Sequence, residues 1–395
     1  MNALRQQIEQ EIRERGPIPF SRYMEMCLYD PALGYYARHA AQFGKAGDFF
    51  TSSDVHAVFG RLLARQFDEM WHALGSPDRI TLVELGPGRG LFAQDVIDWS
   101  EKKFPNFFHA LKYVLVETSP ALRQRIEKTL TRHLETGRVT LAHGIPIAET
   151  TGKSTTSVAP HNASETCALT PDTSTIVFAN EFFDAFPVEI VSSRGSLRID
   201  ASAGHFVEVW APPSPEELEF LDRHSFHPEP GERVEVPLAA QRYADNLFAH
   251  LPSGFAIAID YGYTRQEQLA GRHRGTLKAI RQHSVSANPY EAPGEQDITA
   301  DVNFTALATS AEQHGLTAQK LITQSQFLLG IGEANQFADA FEDCRLPQER
   351  AKVALQLKHL VTPAGMGESF HVLVASKGMD AEKVAALSGL NFGQR

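Results

Sequence analysis

Apolar residues recur along this chain in two rhythms, and the change between them near residue 80 divides it. Leu4, Ile8 and Ile12 fall at helical spacing within residues 1–15 and predict an amphipathic helix. Val55, Val58, Phe59, Leu62, Leu63, Phe67, Met70, Trp71 and Leu74 repeat that spacing and predict a longer one. The glycine-punctuated stretch 34–53 between them predicts a loop or short hairpin.

From residue 80 short apolar runs alternate with helical ones. Residues 80–85 predict a strand, followed by Gly86-Pro87-Gly88-Arg89-Gly90 and a helix through Trp99. Residues 113–117 predict a second strand, and Ser119-Pro120 opens a helix to about His133, with serine as cap and proline at the first position. Residues 139–142, 176–179 and 255–260 predict the third, fourth and fifth strands. Such alternation implies a parallel, doubly wound α/β sheet. Residues 316–324 and 370–377 supply the last strands, and Asp301–His314, closed by Gly315, predicts a helix with an acidic cap. Residues 336–360 also have a helical pattern. The expected organisation is a helical and loop cap at 1–75, a core at 76–265 and accessory helices with the last strands at 266–395. A Ser/Thr-rich stretch at about 150–175 reads as an exposed insertion in that core.

Composition narrows the classes of function. No apolar run approaches the roughly 20 residues that cross a bilayer, so no membrane insertion is expected. The net charge is −11, which disfavours a nucleic-acid partner. Cys27, Cys167 and Cys344 form no CxxC pair, and the 16 histidines show no HExxH spacing, so neither disulfides nor a metal site is expected. The N-terminus mixes acidic residues with its arginines and lacks an apolar leader, so the expected compartment is the cytoplasm, with the mitochondrial matrix as alternative.

The candidate chemistry begins at the end of the first strand. Its glycines let backbone approach a ligand, and the helix that follows presents free N–H groups and a positive dipole end. A dinucleotide fold places a third glycine where this chain has Leu91, which counts against a nicotinamide oxidoreductase. The observed G-x-G-x-G spacing, with Glu84 two residues ahead, resembles motif I of class I methyltransferases. Glu117, at the end of the second strand, can accept hydrogen bonds from both hydroxyls of a ribose. Asn180-Glu181-Phe182-Phe183-Asp184 follows the fourth strand, at the edge where open α/β sheets bind ligands. Paired carboxylates there can hold a guanidinium, align one nitrogen and accept its proton. Glu181 and Asp184 are therefore the candidates for positioning an acceptor, with Asn180 ordering the turn.

Nearly the whole chain resembles the MidA group of methyltransferases, which includes a mitochondrial complex I assembly factor that methylates arginine. The resemblance rests on Gly16-Pro17-Ile18-Pro19-Phe20-Ser21-Arg22-Tyr23-Met24, Leu28-Tyr29-Asp30-Pro31, Gly34-Tyr35-Tyr36 and Gly47-Asp48-Phe49-Phe50-Thr51-Ser52. It continues through Val83–Gly90, Val116–Pro120, Asn180–Ala185, Ile259–Gly262, Gly294–Thr299 and Met366–Leu373. It implies a Rossmann-like, mostly parallel seven-stranded sheet with helical additions and S-adenosylmethionine as methyl donor. On it, Gly86, Gly88 and Gly90 hold the methionine moiety, supported by Glu84, and Glu117 holds the ribose. Thr51 and Ser52 close over the cofactor from the cap.

The function expected on this resemblance is arginine methylation of a protein substrate, linked to respiratory complex assembly. A small-molecule acceptor is one alternative, and an assembly chaperone that binds the cofactor with little turnover is another. A homodimer is an arrangement the sequence leaves open.

Overall fold

The structure, a computed structural model, describes residues 2–38, 57–145, 173–281, 284–286 and 288–393. The chain gathers into two compact units, each discontinuous in sequence. An α/β unit comprises Thr51–Glu181, Asp245–Asp260 and Ser310–Arg395, and a second unit comprises Met1–Phe50, Phe182–Ala244 and Tyr261–Thr309. The three consecutive regions expected from the hydrophobic pattern divide the chain differently.

The α/β unit is built on a sheet whose strands are β1 (Ile80–Leu85), β2 (Leu111–Val116), β3 (Val139–Ala142), β4 (Ser174–Asn180), β5 (Gly254–Tyr263), β6 (Thr317–Ala318), β7 (Ile322–Thr323) and β8 (Phe370–Lys377). Their order is β6-β8-β5-β4-β1-β2-β3, with β7 also beside β8. The pairs among β1 to β5 are all parallel, whereas β6 and β7 run antiparallel to β8. The expected mixed α/β sheet, mostly parallel, is therefore present. Its strand order reverses between β1 and β4, the place where open sheets leave a crevice at the strands' carboxyl ends.

Buried apolar runs hold this sheet between layers, as parallel strands require. The helix Ala57–Ala73 turns Phe59, Leu62, Leu63, Phe67 and Met70 inward, as its spacing predicts. It crosses the helix Leu91–Lys103 at Gly60, where a Cβ would lie 2.6 Å from the Asp95 Cβ. Beneath the crossing, Phe92 stacks on Phe178 of β4 at 4.6 Å, with Phe67 edge-on to Phe178. The helix after β2 begins at Pro120 with the Ser119 hydroxyl accepting from the Leu122 amide, as expected. It stops at Thr129 rather than near His133, and a separate turn of helix occupies Thr131–Glu135.

The second unit contains strands that the periodicity did not reveal. Ile18–Pro19, Gly195–Ser202, Glu189–Ser192 and Arg233–Val236 form an antiparallel sheet, with His205–Ala211 paired to Gly195–Ser202. Ser284–Ser286, Lys278–Arg281 and Asp297–Thr299 form a smaller one. Leu4, Ile8 and Ile12 of the helix Ala3–Arg15 join Phe20, Tyr23, Ile190 and Ile199 in the core of this unit.

Two local expectations are corrected here. The helix expected at Asp301–His314 runs Phe304–Gln313, because Val302–Asn303 pairs as a short strand with Gly262–Tyr263. Asn303 rather than Asp301 then caps it, accepting from the Ala306 amide at 3.0 Å. The loop or hairpin expected from residue 34 instead opens with a helical turn at Tyr35–Arg38, and its remainder lies outside the described residues. So does the insertion expected at 150–175, apart from its last three residues. Among the described residues no helix is long and apolar enough to cross a membrane.

Candidate active site

The loop after β1 alternates its backbone handedness. Gly86, Gly88 and Gly90 have φ of 63°, 55° and 75°, in the left-handed region that side-chain-bearing residues enter at a cost of about 1–2 kcal/mol. The Gly86 amide donates to the Val116 carbonyl and the Gly90 amide to the Pro87 carbonyl, which pins the bend to β2 and closes it. Gly90 then caps the helix Leu91–Lys103, so the amides of its first turn open at the sheet's carboxyl edge. A Cβ on Gly90 would press on Leu130 Cδ1 at 3.3 Å, whereas one on Gly88 would enter open space. Space beside Gly88 and closed packing behind Gly90 are what a cradle for a nucleoside's tail requires.

Strand register places the candidate carboxylates. Leu85 lies beside Val116 and Ala179, so the next residues along, Gly86 just past β1, Glu117 just past β2 and Asn180 at the end of β4, follow three paired positions. Because side chains alternate along a strand, Glu84, Tyr113, Glu117, Phe178 and Asn180 share one face. Glu84 is 5% exposed, and its Oε2 accepts from the Tyr113 hydroxyl at 2.8 Å. Burial pushes the Glu84 carboxyl up to about 8, against that hydrogen bond. Glu117 is also buried, and its Oε1 accepts from the Ser119 amide at 2.8 Å, which fixes the carboxylate beyond the strand end. Burial raises it to about 7, against the Ser119 and Thr118 amides and the charge of Arg123.

Asn180 ends β4, and Glu181 leaves the strand with its amide donating to the Ile259 carbonyl at 2.9 Å. Glu181 has φ 50°, an uncommon conformation for a residue with a side chain, and one that concentrates at functional sites. The Asn180 Nδ2 donates to the Glu181 Oε1 at 3.0 Å, whereas the Asn180 Oδ1 is shut off from solvent without a donor among the described residues.

Asp184 belongs to the second unit. It sits in a turn, not at a helix N-terminus, and is 4% exposed. The Thr299 hydroxyl donates to its Oδ2 at 2.9 Å, and the Ala300 amide donates to its carbonyl at 3.1 Å. Burial raises the Asp184 carboxyl, while Thr299 and the charge of Lys278 oppose the shift. Nearby, the Tyr29 hydroxyl donates to the Ala185 carbonyl and the Tyr36 hydroxyl to the Asp297 Oδ1.

The structure thus gathers Glu84, the three loop glycines, Glu117, Asn180 and Glu181 on one edge of the α/β unit. Thr51 and Ser52 lie outside the described residues. Sequence reasoning missed Tyr113 and Thr299, the partners of Glu84 and Asp184. Thr299 falls within the Gly294–Thr299 segment that carried the family resemblance, but nothing there marked its partner. Tyr113 reads simply as an aromatic strand residue.

Comparison with known proteins decides the class. A family model of S-adenosyl-L-methionine-dependent methyltransferases matches residues 62–322. This chain belongs to that family. The methyltransferase is 29% identical over 401 residues to the protein arginine methyltransferase NDUFAF7 homolog, mitochondrial, of Drosophila melanogaster, covering 95% of this chain and 85% of that protein. Its identity to protein arginine methyltransferase NDUFAF7, mitochondrial, of Danio rerio is 30% over 372 residues, covering 90% and 82%. A crystal structure of a protein from Burkholderia thailandensis, bound to S-adenosyl-homocysteine, superposes with a TM-score of 0.77. That pair is 28% identical, with 98% of this chain and 94% of that chain covered. The methyltransferase uses S-adenosylmethionine, and the nicotinamide alternative is set aside.

Proposed function

We propose that this methyltransferase places a methyl group on an arginine nitrogen of a protein. The reading is supported by curated relatives named as protein arginine methyltransferases that align along nearly the whole chain. The single structural observation that carries it is Glu181, a carboxylate held by Asn180 in a left-handed conformation at the carboxyl end of a central strand.

When bound, S-adenosylmethionine supplies an electrophilic methyl on a sulfonium that leaves as a neutral thioether. Gly86, Gly88 and Gly90 would hold its amino-acid tail, Glu84 would support that loop, and Glu117 would accept from the ribose hydroxyls. An arginine guanidinium is charged at any ordinary pH, so its nitrogen needs anionic partners to align it and take its proton. Glu181 and Asp184 would do so. The raised affinity of the buried Asp184 for protons suits it to the second task. In-line alignment and exclusion of water are the remaining contributions of the site.

The test compares methylated peptides from cells with and without the protein by mass spectrometry, then methylates the affected protein in vitro. Loss of a specific methylarginine mark, restored by the purified enzyme, is the expected result. Methylation of a small molecule with no change at any arginine would sink the reading.

A further inference from the structure

The buried oxygen of Asn180 has no role in the site described so far. Its amide orientation is dictated by its neighbour. A carboxylate only accepts hydrogen bonds, so the Nδ2 must face the Glu181 Oε1, 3.0 Å away, and the Oδ1 must turn from it. That oxygen is closed to solvent and receives no donor from the described residues, an expensive condition for a polar atom at the edge where the cofactor is placed.

The register identifies the side of the ligand it meets. Leu85 pairs with Val116 and with Ala179, so Glu117 and Asn180 each stand one residue beyond Leu85's partners, with Gly86 following Leu85 between them. Two strand spacings, about 10 Å, therefore separate the ribose candidate from Asn180, with the glycine loop between them. A nucleoside whose ribose rests at Glu117 and whose tail follows the loop brings the tail's far end to β4. In the cofactor that end carries an ammonium, a group with three donors and no acceptor, which matches a lone buried carbonyl oxygen.

We infer that the Asn180 Oδ1 accepts a hydrogen bond from the α-ammonium of the cofactor's amino-acid tail, while its Nδ2 holds Glu181. One side chain then ties the cofactor to the carboxylate that positions the acceptor. This rests on the placement of the cofactor at the Gly86–Gly90 loop and Glu117 proposed above.

The test measures binding by calorimetry with S-adenosylhomocysteine and with its desamino analogue, which lacks only the α-amino group. The wild type is expected to prefer S-adenosylhomocysteine. N180L removes the oxygen and is expected to weaken S-adenosylhomocysteine by roughly tenfold or more, leaving the analogue within about twofold. N180D keeps an acceptor facing the ammonium, and its preference for the amino-bearing ligand is expected to persist, which also covers the case in which N180L does not fold. A merely structural Asn180 would weaken both ligands alike in N180L or lose the preference in N180D, and either result overturns the inference. E117A separates the underlying placement: both ligands should weaken together, and unchanged binding of both would fault the placement instead.

Discussion

The Tyr113 hydroxyl donates to the Glu84 Oε2 at 2.8 Å, joining two buried side chains on neighbouring parallel strands. In this setting the folded protein keeps the Glu84 proton to about 8, whereas an ordinary glutamic acid loses it near 4.5. Across that window the folded state binds more protons than the unfolded state, so stability falls as pH rises. Glu117, raised to about 7, acts in the same direction. Thermal melts of the ligand-free protein between roughly pH 5 and 9 should decline with pH, and E84Q should flatten the decline. Equal slopes in the two proteins would remove Glu84 from this account.

Cofactor affinity is expected to move with the opposite sign at Glu117. Only the ionised carboxylate can accept from both ribose hydroxyls without spending an oxygen on its own proton. Binding of S-adenosylhomocysteine should therefore tighten as pH rises through about 7. E117A should weaken it by about tenfold or more and erase that pH dependence. Calorimetry at several pH values decides the matter.

Gly88 and Gly90 separate two costs of a side chain. Both have positive φ, so alanine at either strains the backbone by about 1–2 kcal/mol. G90A also presses on Leu130 and should lower the melting temperature further. G88A meets no atom of the described residues within 4 Å, so its methyl should cost cofactor affinity more than stability. Melting curves and binding isotherms for the pair test the contrast.

Glu181 carries strain that glycine would not. E181G should leave the melting temperature unchanged or slightly higher, because relief of φ 50° offsets the added freedom of the unfolded chain. Turnover should nevertheless collapse. A clear loss of stability without loss of turnover would make the conformation a structural requirement only.

Asp184→Asn keeps the shape of the side chain and its ability to accept from Thr299. It should reduce turnover about 10²- to 10⁴-fold while leaving S-adenosylhomocysteine affinity unchanged. T299V, which removes only the anchoring hydroxyl, should cost less. Single-turnover assays beside calorimetry distinguish these outcomes from a defect in cofactor binding.

How much of this was readable along the chain depended on the distance over which each signal acts. Strands β1 to β5 were legible because parallel strands buried on both faces read as continuous apolar runs. The strands of Glu189–Val236 were not. Charged and polar residues interrupt their apolar positions, as in Arg198, Asp200, Glu208 and Glu235, and pairing to Ile18–Pro19 comes from far away in sequence. The Asp301 cap was misplaced for a related reason, since the pairing of Val302–Asn303 with Gly262–Tyr263 overrides the local helix signal.

The glycine spacing and the acidic residues at strand ends were determined by sequence alone, since they need only their order along the backbone. The tertiary structure alone decided what each carboxylate became. Tyr113 lies 29 residues from Glu84 and Thr299 lies 115 residues from Asp184, and no local pattern encodes either meeting. Burial, register and the handedness of Glu181 arise only when the strands lie side by side, and these set which acids hold protons and which hold ligands.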